Sequence, residues 1–250
     1  MNVQQIKPYK TNASKRDQIR LAFDRLSNKY DRMNRILSLG IDIVWRRRAI
    51  RLLTAGNPGK ILDAATGTAD MAVMAARLLP QAEITGVDLS ESMLAAGRVK
   101  SAKAGVADRI HLQSGDCLAL AFADNTFDAV ITAFGIRNFE DLSTGLKEFA
   151  RVLKPGGRLI VLELSEPRFF PACQLYRLYL RHFVPLAGAL LADLSAEYRY
   201  LQESIEHVPQ GENMLALLRA AGFKACCRHP YTCGICTCYN GQKPSPSGPA

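Results

Sequence analysis

The stretch "ILDAATGTAD", residues 61–70, decides the reading of this chain. It begins as a short apolar strand and runs directly into a turn, the form in which a parallel α/β sheet offers a loop to a nucleotide-like ligand. A dinucleotide loop carries three glycines so that the backbone can close on a pyrophosphate. This loop has one, Gly67, which disfavours a diphosphate and suits a ligand that bears an amino acid instead. Thr66, Thr68 and Asp70 are then the polar anchors, and Asp63 closes the strand.

Outward from the loop, the pattern alternates strand and helix. "KILDAA" is the first strand, and a helix runs through Met71, Val73, Met74, Ala76 and Leu79 until Pro80 ends it. "AEITGVDL" is the second strand, and Ser90 caps a helix over 91–103. "RIHLQSGD" and "FDAVITAF" are the third and fourth strands. A helix over 141–153 stops before "KPGG", a turn that launches "RLIVLEL". Helical segments follow at 169–191 and 211–221, and then "FKACCRHP" and "CGICTCYNG" are placed to pair antiparallel. The expected fold is α/β: a doubly wound, mostly parallel seven-stranded sheet with an antiparallel C-terminal strand and an N-terminal helical lid. Three units are expected: a basic helical lid over 1–56, the sheet domain over 57–243, and a disordered Pro/Ser/Gly tail over 244–250.

The lid is read from Ile19, Phe23, Leu26 and Tyr30, then Met33, Ile36 and Leu37, all at helical spacing. Gly40 interrupts them, and Asp42 is placed to cap a further helix through "VWRRRAIRLL". Residues 1–56 hold 13 of the 32 Lys/Arg but only 4 of the 23 Asp/Glu, so the whole excess of +9 lies ahead of the loop. Such a charge is either a solvated helical face or an attraction to an anionic surface. Trp45 beside Arg46–Arg48 reads as an interfacial anchor or, equally, as a packed Trp among solvated arginines.

Composition narrows the class. With 250 residues, 48% of them hydrophobic, and 22% charged, the chain can build one full core. The longest apolar run, "FVPLAGALLADL" (183–194), is too short for a bilayer and carries Asp193. The N-terminus has no apolar core of the secretory kind, so the expected location is the cytoplasm, with seven cysteines as thiols. Of the C-terminal cysteines only 233/236 has CxxC spacing; the alternation of Cys236 and Cys238 on a strand reads as small apolar packing, and no metal is expected. His111 reads as sheet packing and His207 as solvated or packed.

In a doubly wound sheet the ligand lies at the carboxyl ends of the strands. Strand two ends in Asp88, 21 residues beyond Gly67, where a carboxylate can accept both hydroxyls of a ribose. Strand three ends in "GDC", which places Asp116 opposite an adenine amino group. Three strand ends thus describe S-adenosylmethionine (SAM).

At this point "ILDAATGTAD", "TGVDLSESML", "SGDCLALAFADNTFDAVITAFGIRNFED" and "FARVLKPGGRLIVLELSEP" resemble the class I SAM-dependent methyltransferases. "FDRLSNKYDRMNRILSLGIDIVWRRRAI", "AFGIRNF" and "YRYLQESIEHVPQGENMLALLRAAGF" are similar, more narrowly, to the menaquinone/ubiquinone biosynthesis C-methyltransferase family, over roughly residues 15–243. The resemblance implies cofactor contacts at Thr68, Asp88, Asp116 and Cys117, with Asp63, Gly67, Asp70 and Leu89 beside them. Where the family commonly has a serine before "FG" this chain has Ala133, so one hydrogen bond there falls to backbone groups or water.

The implied reaction is C-methylation of demethylmenaquinol to menaquinol. Arg137 is the expected cation beside a ring hydroxyl, Asn138 the holder of a ring oxygen, and Asp31 the candidate proton acceptor. Tyr30, Asn34, Tyr198 and Tyr200 are the candidates to surround the ring. An isoprenoid hydroquinone is the expected substrate, with a transient anionic membrane surface at the inner face of the cytoplasmic membrane and a homodimer as further expected partners. Ubiquinone-pathway methylation of a benzoquinol stays open, as does a non-catalytic SAM-binding module. A nucleic-acid methyltransferase is disfavoured: the Asn/Asp-Pro-Pro-aromatic motif and a Pro-Cys nucleophile are both missing from the sequence, so no nucleic-acid partner is expected.

Overall fold

The computed structural model describes residues 3–9, 11–27, 29–179 and 195–245. The elements are α1 (Lys15–Leu26), α2 (Tyr30–Ser38), α3 (Asp42–Thr54), β1 (Lys60–Ala64), α4 (Asp70–Leu78), β2 (Glu83–Asp88), α5 (Glu91–Lys103), β3 (Ile110–Ser114), β4 (Phe127–Ala133), α6 (Leu142–Val152), β5 (Leu153–Leu164), α7 (Ala172–Leu178), α8 (Ser195–His207), α9 (Glu212–Ala220), β6 (Lys224–Tyr231) and β7 (Cys236–Gln242). The apolar run at 183–194 and most of the tail lie outside the described residues.

The seven strands form one sheet in the order β3-β2-β1-β4-β5-β7-β6. Neighbours from β3 to β5 pair parallel, and β7 enters antiparallel between β5 and β6. The order reverses between β1 and β4, so the loops after these strands diverge and leave a crevice at their carboxyl ends. Successive strand residues face opposite layers, and both faces are apolar. Ile61, Ile84, Ile131 and Ile160 pack on one side against Ile50 and Leu53 of α3 and Met71 and Ala72 of α4. Leu62, Val87, Val130 and Val161 pack on the other against Phe149 of α6 and Met214 and Leu218 of α9. Each such side chain contributes roughly 1.5–3 kcal/mol by leaving water.

Local chemistry sets the boundaries. Ser90 accepts the Met93 amide and caps α5, and Asp141 accepts the amides of Ser143 and Thr144 to cap α6. Gly40 (φ 76°) ends α2, donating its amide to the Arg35 carbonyl. Asp42 differs from the sequence reading: it begins α3 without capping it, because Arg35 and Ser38 take its carboxylate. "KPGG" is likewise no plain turn. β5 runs through it, and the register on β4 shifts between Phe127 and Ala129 to absorb the extra residues.

Trp45 is buried in the core and donates its indole N–H to Thr232 Oγ1 at 2.8 Å, so it is no interfacial anchor. Arg46 is buried as well, whereas Arg47 and Arg48 are exposed. α3 therefore belongs to the layer over the sheet, packed on α4 and β5. The helices that overlie the strand ends are α1 and α2. Cys236 and Cys238 are buried in the sheet, while Cys227 and Cys233 are exposed.

Candidate active site

The loop after β1 turns on left-handed backbone at Ala65 (φ 53°), Gly67 (φ 54°) and Ala69 (φ 63°), and Phe134 (φ 61°) does the same at the end of β4. Three of these four carry a Cβ, a strain that is concentrated where the two loops meet. At Gly135 a Cβ would lie 2.7 Å from that of Ala65, so only glycine lets the loops close. The Gly67 amide donates to Asp88 Oδ2 at 2.8 Å and the Ser90 amide to Asp88 Oδ1 at 3.0 Å. Burial raises the Asp88 carboxyl above its ordinary value, and these amides pull it back only in part.

These loops border a cleft lined by Gly67, Asp88, Leu89, Asp116, Cys117 and Ala133 from the strand ends and roofed by Arg16, Ile19 and Phe23 of α1. Tyr30, Phe134 and Asn138 complete its inner wall. A second cavity shares Tyr30 and Phe134 with the first and reaches Asn34, Trp45, Arg46, Arg137 and Tyr176. A third joins them, lined by Tyr30, Asn34, Arg137, Asn138 and Tyr200 under the apolar side of α1. Tyr200 donates its hydroxyl to Asn138 Oδ1 at 2.9 Å. Tyr198 lies on α8, and its side chain is outside the described residues.

Thr68, Asp70 and Asp31 are not among the residues that line the cleft. They form a clasp: Thr68 donates to Asp31 at 2.6 Å, Lys100 sits 2.6 Å from the Asp31 carboxylate and also binds Asp70, and Arg35 binds Asp70 at 2.9 Å. Burial alone would raise the Asp70 carboxyl, but Arg46 and Lys100 bring it below the ordinary range. Asp24 of α1 similarly accepts the Ser90 hydroxyl. Arg16 pairs with Asp116 at 3.0 Å. The clasp ties α1 and α2 down over the strand ends.

Asp63 lies beneath the cleft rather than in it, accepting the Thr66 hydroxyl at 2.6 Å. Burial pushes its carboxyl up to about 7 against that hydrogen bond. Burial also raises the Cys117 thiol, which keeps it an inert wall of the cleft.

Arg137 sits on a single 3₁₀ turn, Ile136–Asn138, after β4. Its guanidinium donates Nη1–H to Glu163 at 2.7 Å and to the Phe134 carbonyl at 2.6 Å. Burial opposes its charge, but Glu163 and the phenols of Tyr30 and Tyr200 hold it all the more firmly protonated. Lys15, 2% exposed, donates to the carbonyls of Val3, Arg137 and Phe139 and so fixes the turn. Sequence reasoning passed over Glu163 and Lys15. A lone carboxylate inside the apolar strand "RLIVLEL" was the signal for the first, because a buried charge demands a buried partner; the second has no such signal.

Residues 10–243 match the ubiE/COQ5 methyltransferase family. The chain belongs to that family. It is a methyltransferase, and membership implies S-adenosylmethionine as the methyl donor. It is 44% identical over 240 residues to a demethylmenaquinone methyltransferase of Bacteroides fragilis, covering 96% of this chain and 98% of the relative. A ubiquinone/menaquinone biosynthesis C-methyltransferase of Geotalea daltonii is 44% identical over 230 residues, 92% of this chain and 97% of the other. The fold is that of a SAM-dependent methyltransferase of Thermotoga maritima, with a TM-score of 0.61 at 20% identity over 90% of this chain and 99% of that one.

The residues present fit that cofactor. The Gly67 amide already meets Asp88, and Asp88 and Asp116 stand at adjacent strand ends within a single cleft.

Proposed function

We propose that the protein methylates a ring carbon of a demethylmenaquinol-type hydroquinone. The observation that carries this reading is the adjacency of two cavities sharing Tyr30 and Phe134, one lined by strand-end carboxylates and the other by aromatic side chains and a buried cation, Arg137. The relative named for demethylmenaquinone supports the substrate class.

In this reading Asp88 holds the ribose, Asp116 the adenine amino group, and Gly67, Leu89, Cys117 and Ala133 shape the first cavity. When bound, S-adenosylmethionine supplies an electrophilic methyl group and leaves as a neutral thioether. The chain's own work is on the ring. Arg137 stabilises a phenolate at one hydroxyl, which loads electron density onto the adjacent ring carbon. Asn138, held by Tyr200, and Tyr30 keep that carbon facing the shared wall. Arg137 stays protonated throughout, so water takes both the hydroxyl proton as the phenolate forms and the ring proton after transfer, and returns one proton to the ring oxygen as aromaticity is restored. Asp31, occupied by Thr68 and Lys100, serves the clasp.

The substrate's isoprenoid tail belongs in lipid. Among the described residues no helix is long and apolar enough to cross a membrane. The outer side of α3 exposes Ile43, Val44, Arg47 and Arg51, and Leu39 beside it is 77% exposed. This face is our candidate for transient contact with an anionic bilayer.

The test is transfer of labelled methyl from S-adenosylmethionine to prenylated naphthohydroquinone and benzohydroquinone in parallel. Transfer to the naphthohydroquinone, abolished in Asp88→Ala and Arg137→Ala, supports the reading. Transfer to the benzohydroquinone alone redirects it to the ubiquinone pathway, and transfer to neither refutes it.

A further inference from the structure

Arg46 is 4% exposed, yet among the described residues its buried Nε–H finds no hydrogen-bond acceptor. It forms an ion pair with Asp42, 3.5 Å from Nε and without hydrogen-bond geometry, and shares that carboxylate with Arg35 and Ser38, which take its hydrogen bonds. Its charge also acts on the carboxyls of Asp63 and Asp70, and its guanidinium lies over the face of Phe134, 4.9 Å from the ring centroid. Its buried Nε–H therefore goes unused, an arrangement that is costly unless an acceptor arrives. The cavity that Arg46 borders is the second one, which Arg137 also lines. Arg137 leaves its own Nε without a partner there, while Nη1 is committed to Glu163. Two buried guanidinium groups with spare donors thus share one aromatic-walled cavity.

We infer that Arg46 holds the second ring oxygen of the hydroquinone, so that the diol is bound between two guanidinium groups, with Arg137 at one oxygen and Arg46 at the other. This rests on the function proposed above and deepens it. A para-diol is the ligand class that offers two oxygens, each able to become anionic, on opposite sides of a flat apolar ring. Phe134 serves both parts: it lies under Arg46 and forms part of the wall shared with the cofactor cleft. The site so built also selects the reduced substrate, since a phenolate is a far stronger partner for a guanidinium than a quinone carbonyl is.

The experiment compares the prenylated 1,4-naphthohydroquinone with the two prenylated naphthols that each lack one hydroxyl, in the wild type and in Arg46→Met and Arg46→Lys. The readout is the ratio of kcat/KM between diol and naphthol within one preparation, so any misfolded fraction cancels. The wild type is expected to prefer the diol over both naphthols. Arg46→Met should lose about 10- to 100-fold of that preference against the one naphthol that lacks the oxygen bound to Arg46. Its preference against the other naphthol should be kept, and Arg46→Lys should be intermediate. An equal loss on all three substrates would make Arg46 a structural cation satisfied by water and overturn the inference while leaving the function intact. No methyl transfer to the diol by the wild type would instead overturn the proposed function, and this inference with it.

Discussion

Replacing Glu163 with Gln isolates what the buried carboxylate does for Arg137. Their side chains are 2% and 8% exposed, and the Oε1 to Nη1 distance is 2.7 Å. Glu163 also accepts the backbone amides of Leu164 and, more weakly, of Arg137 itself. The glutamine keeps the shape and one acceptor oxygen but leaves a guanidinium uncompensated in a low-dielectric site. Removing one partner of a buried pair costs about 3–5 kcal/mol. For a chain of this size that is a fall in Tm of roughly 6–20 °C. Methyl transfer should fall with it, since the freed guanidinium is no longer held against the Phe134 carbonyl and the second cavity.

The double variant Arg137→Met/Glu163→Leu separates stability from function. Two apolar residues of similar volume replace the pair without an orphan charge, and such replacements are neutral or stabilising by about 1–4 kcal/mol. Urea unfolding should therefore show the double variant at or above wild-type stability, with activity still lost. A Glu163→Gln protein with unchanged Tm and kcat would refute the reasoning, and so would a double variant as unstable as the single one.

Asp88→Ala should weaken S-adenosylmethionine binding by roughly 10- to 100-fold in calorimetry, the worth of a charge-assisted hydrogen bond. Asp63 has a folded pKa of about 7 against an ordinary 3.8, so its contribution is fully present below about pH 4 and is lost as pH rises through 7. Relative to wild type, Asp63→Asn should become more stable by about 4 kcal/mol between pH 4 and pH 8 in urea titrations, and a pH-independent difference would contradict this. Arg16→Ala should release Asp116 and speed cofactor association by up to about fivefold at low salt, with the advantage gone at high salt, as stopped-flow fluorescence would show. Neutralising Arg47 and Arg51 together should weaken binding to anionic vesicles by about 2 kcal/mol in sedimentation assays and leave binding to neutral vesicles unchanged.

The fold was legible because its signals are local and repeated. β1, β2 and β4 are short, largely apolar runs and β3 an edge strand, each followed by a helix or a turn, and that alternation admits little besides a parallel sheet. Strand-end residues were legible for the same reason: Asp88, Leu89, Asp116, Cys117 and Ala133 line the cleft because a carboxyl end in this topology points there. Thr68, Asp70 and Asp31 were beyond that rule. Their directions follow from left-handed turns at Ala65 and Ala69 and from Lys100, which stands 30 residues from Asp70 in sequence and meets it only once α5 has packed.

The run Arg46-Arg47-Arg48 shows where one further step of sequence reasoning was open. Three adjacent arginines look alike in composition, and a charge count assigns them all to a solvated face. A helix does not treat them alike, since its inward face recurs every three to four residues. Counting back from Leu53 by such steps gives Ile50, Ala49, Arg46, Trp45 and Asp42, all buried, whereas Arg47 and Arg48 fall outside that stripe. The inward arginine therefore sits in register with a core, where a charge is retained only if something satisfies it. Asp42, one turn earlier on the same stripe, reads as that partner on the helical wheel alone. The structure shares Asp42 between Arg46, Arg35 and Ser38, so the ion pair survives at 3.5 Å while the hydrogen bonds go to Arg35 and Ser38, and the Arg46 Nε–H is left open to a ligand.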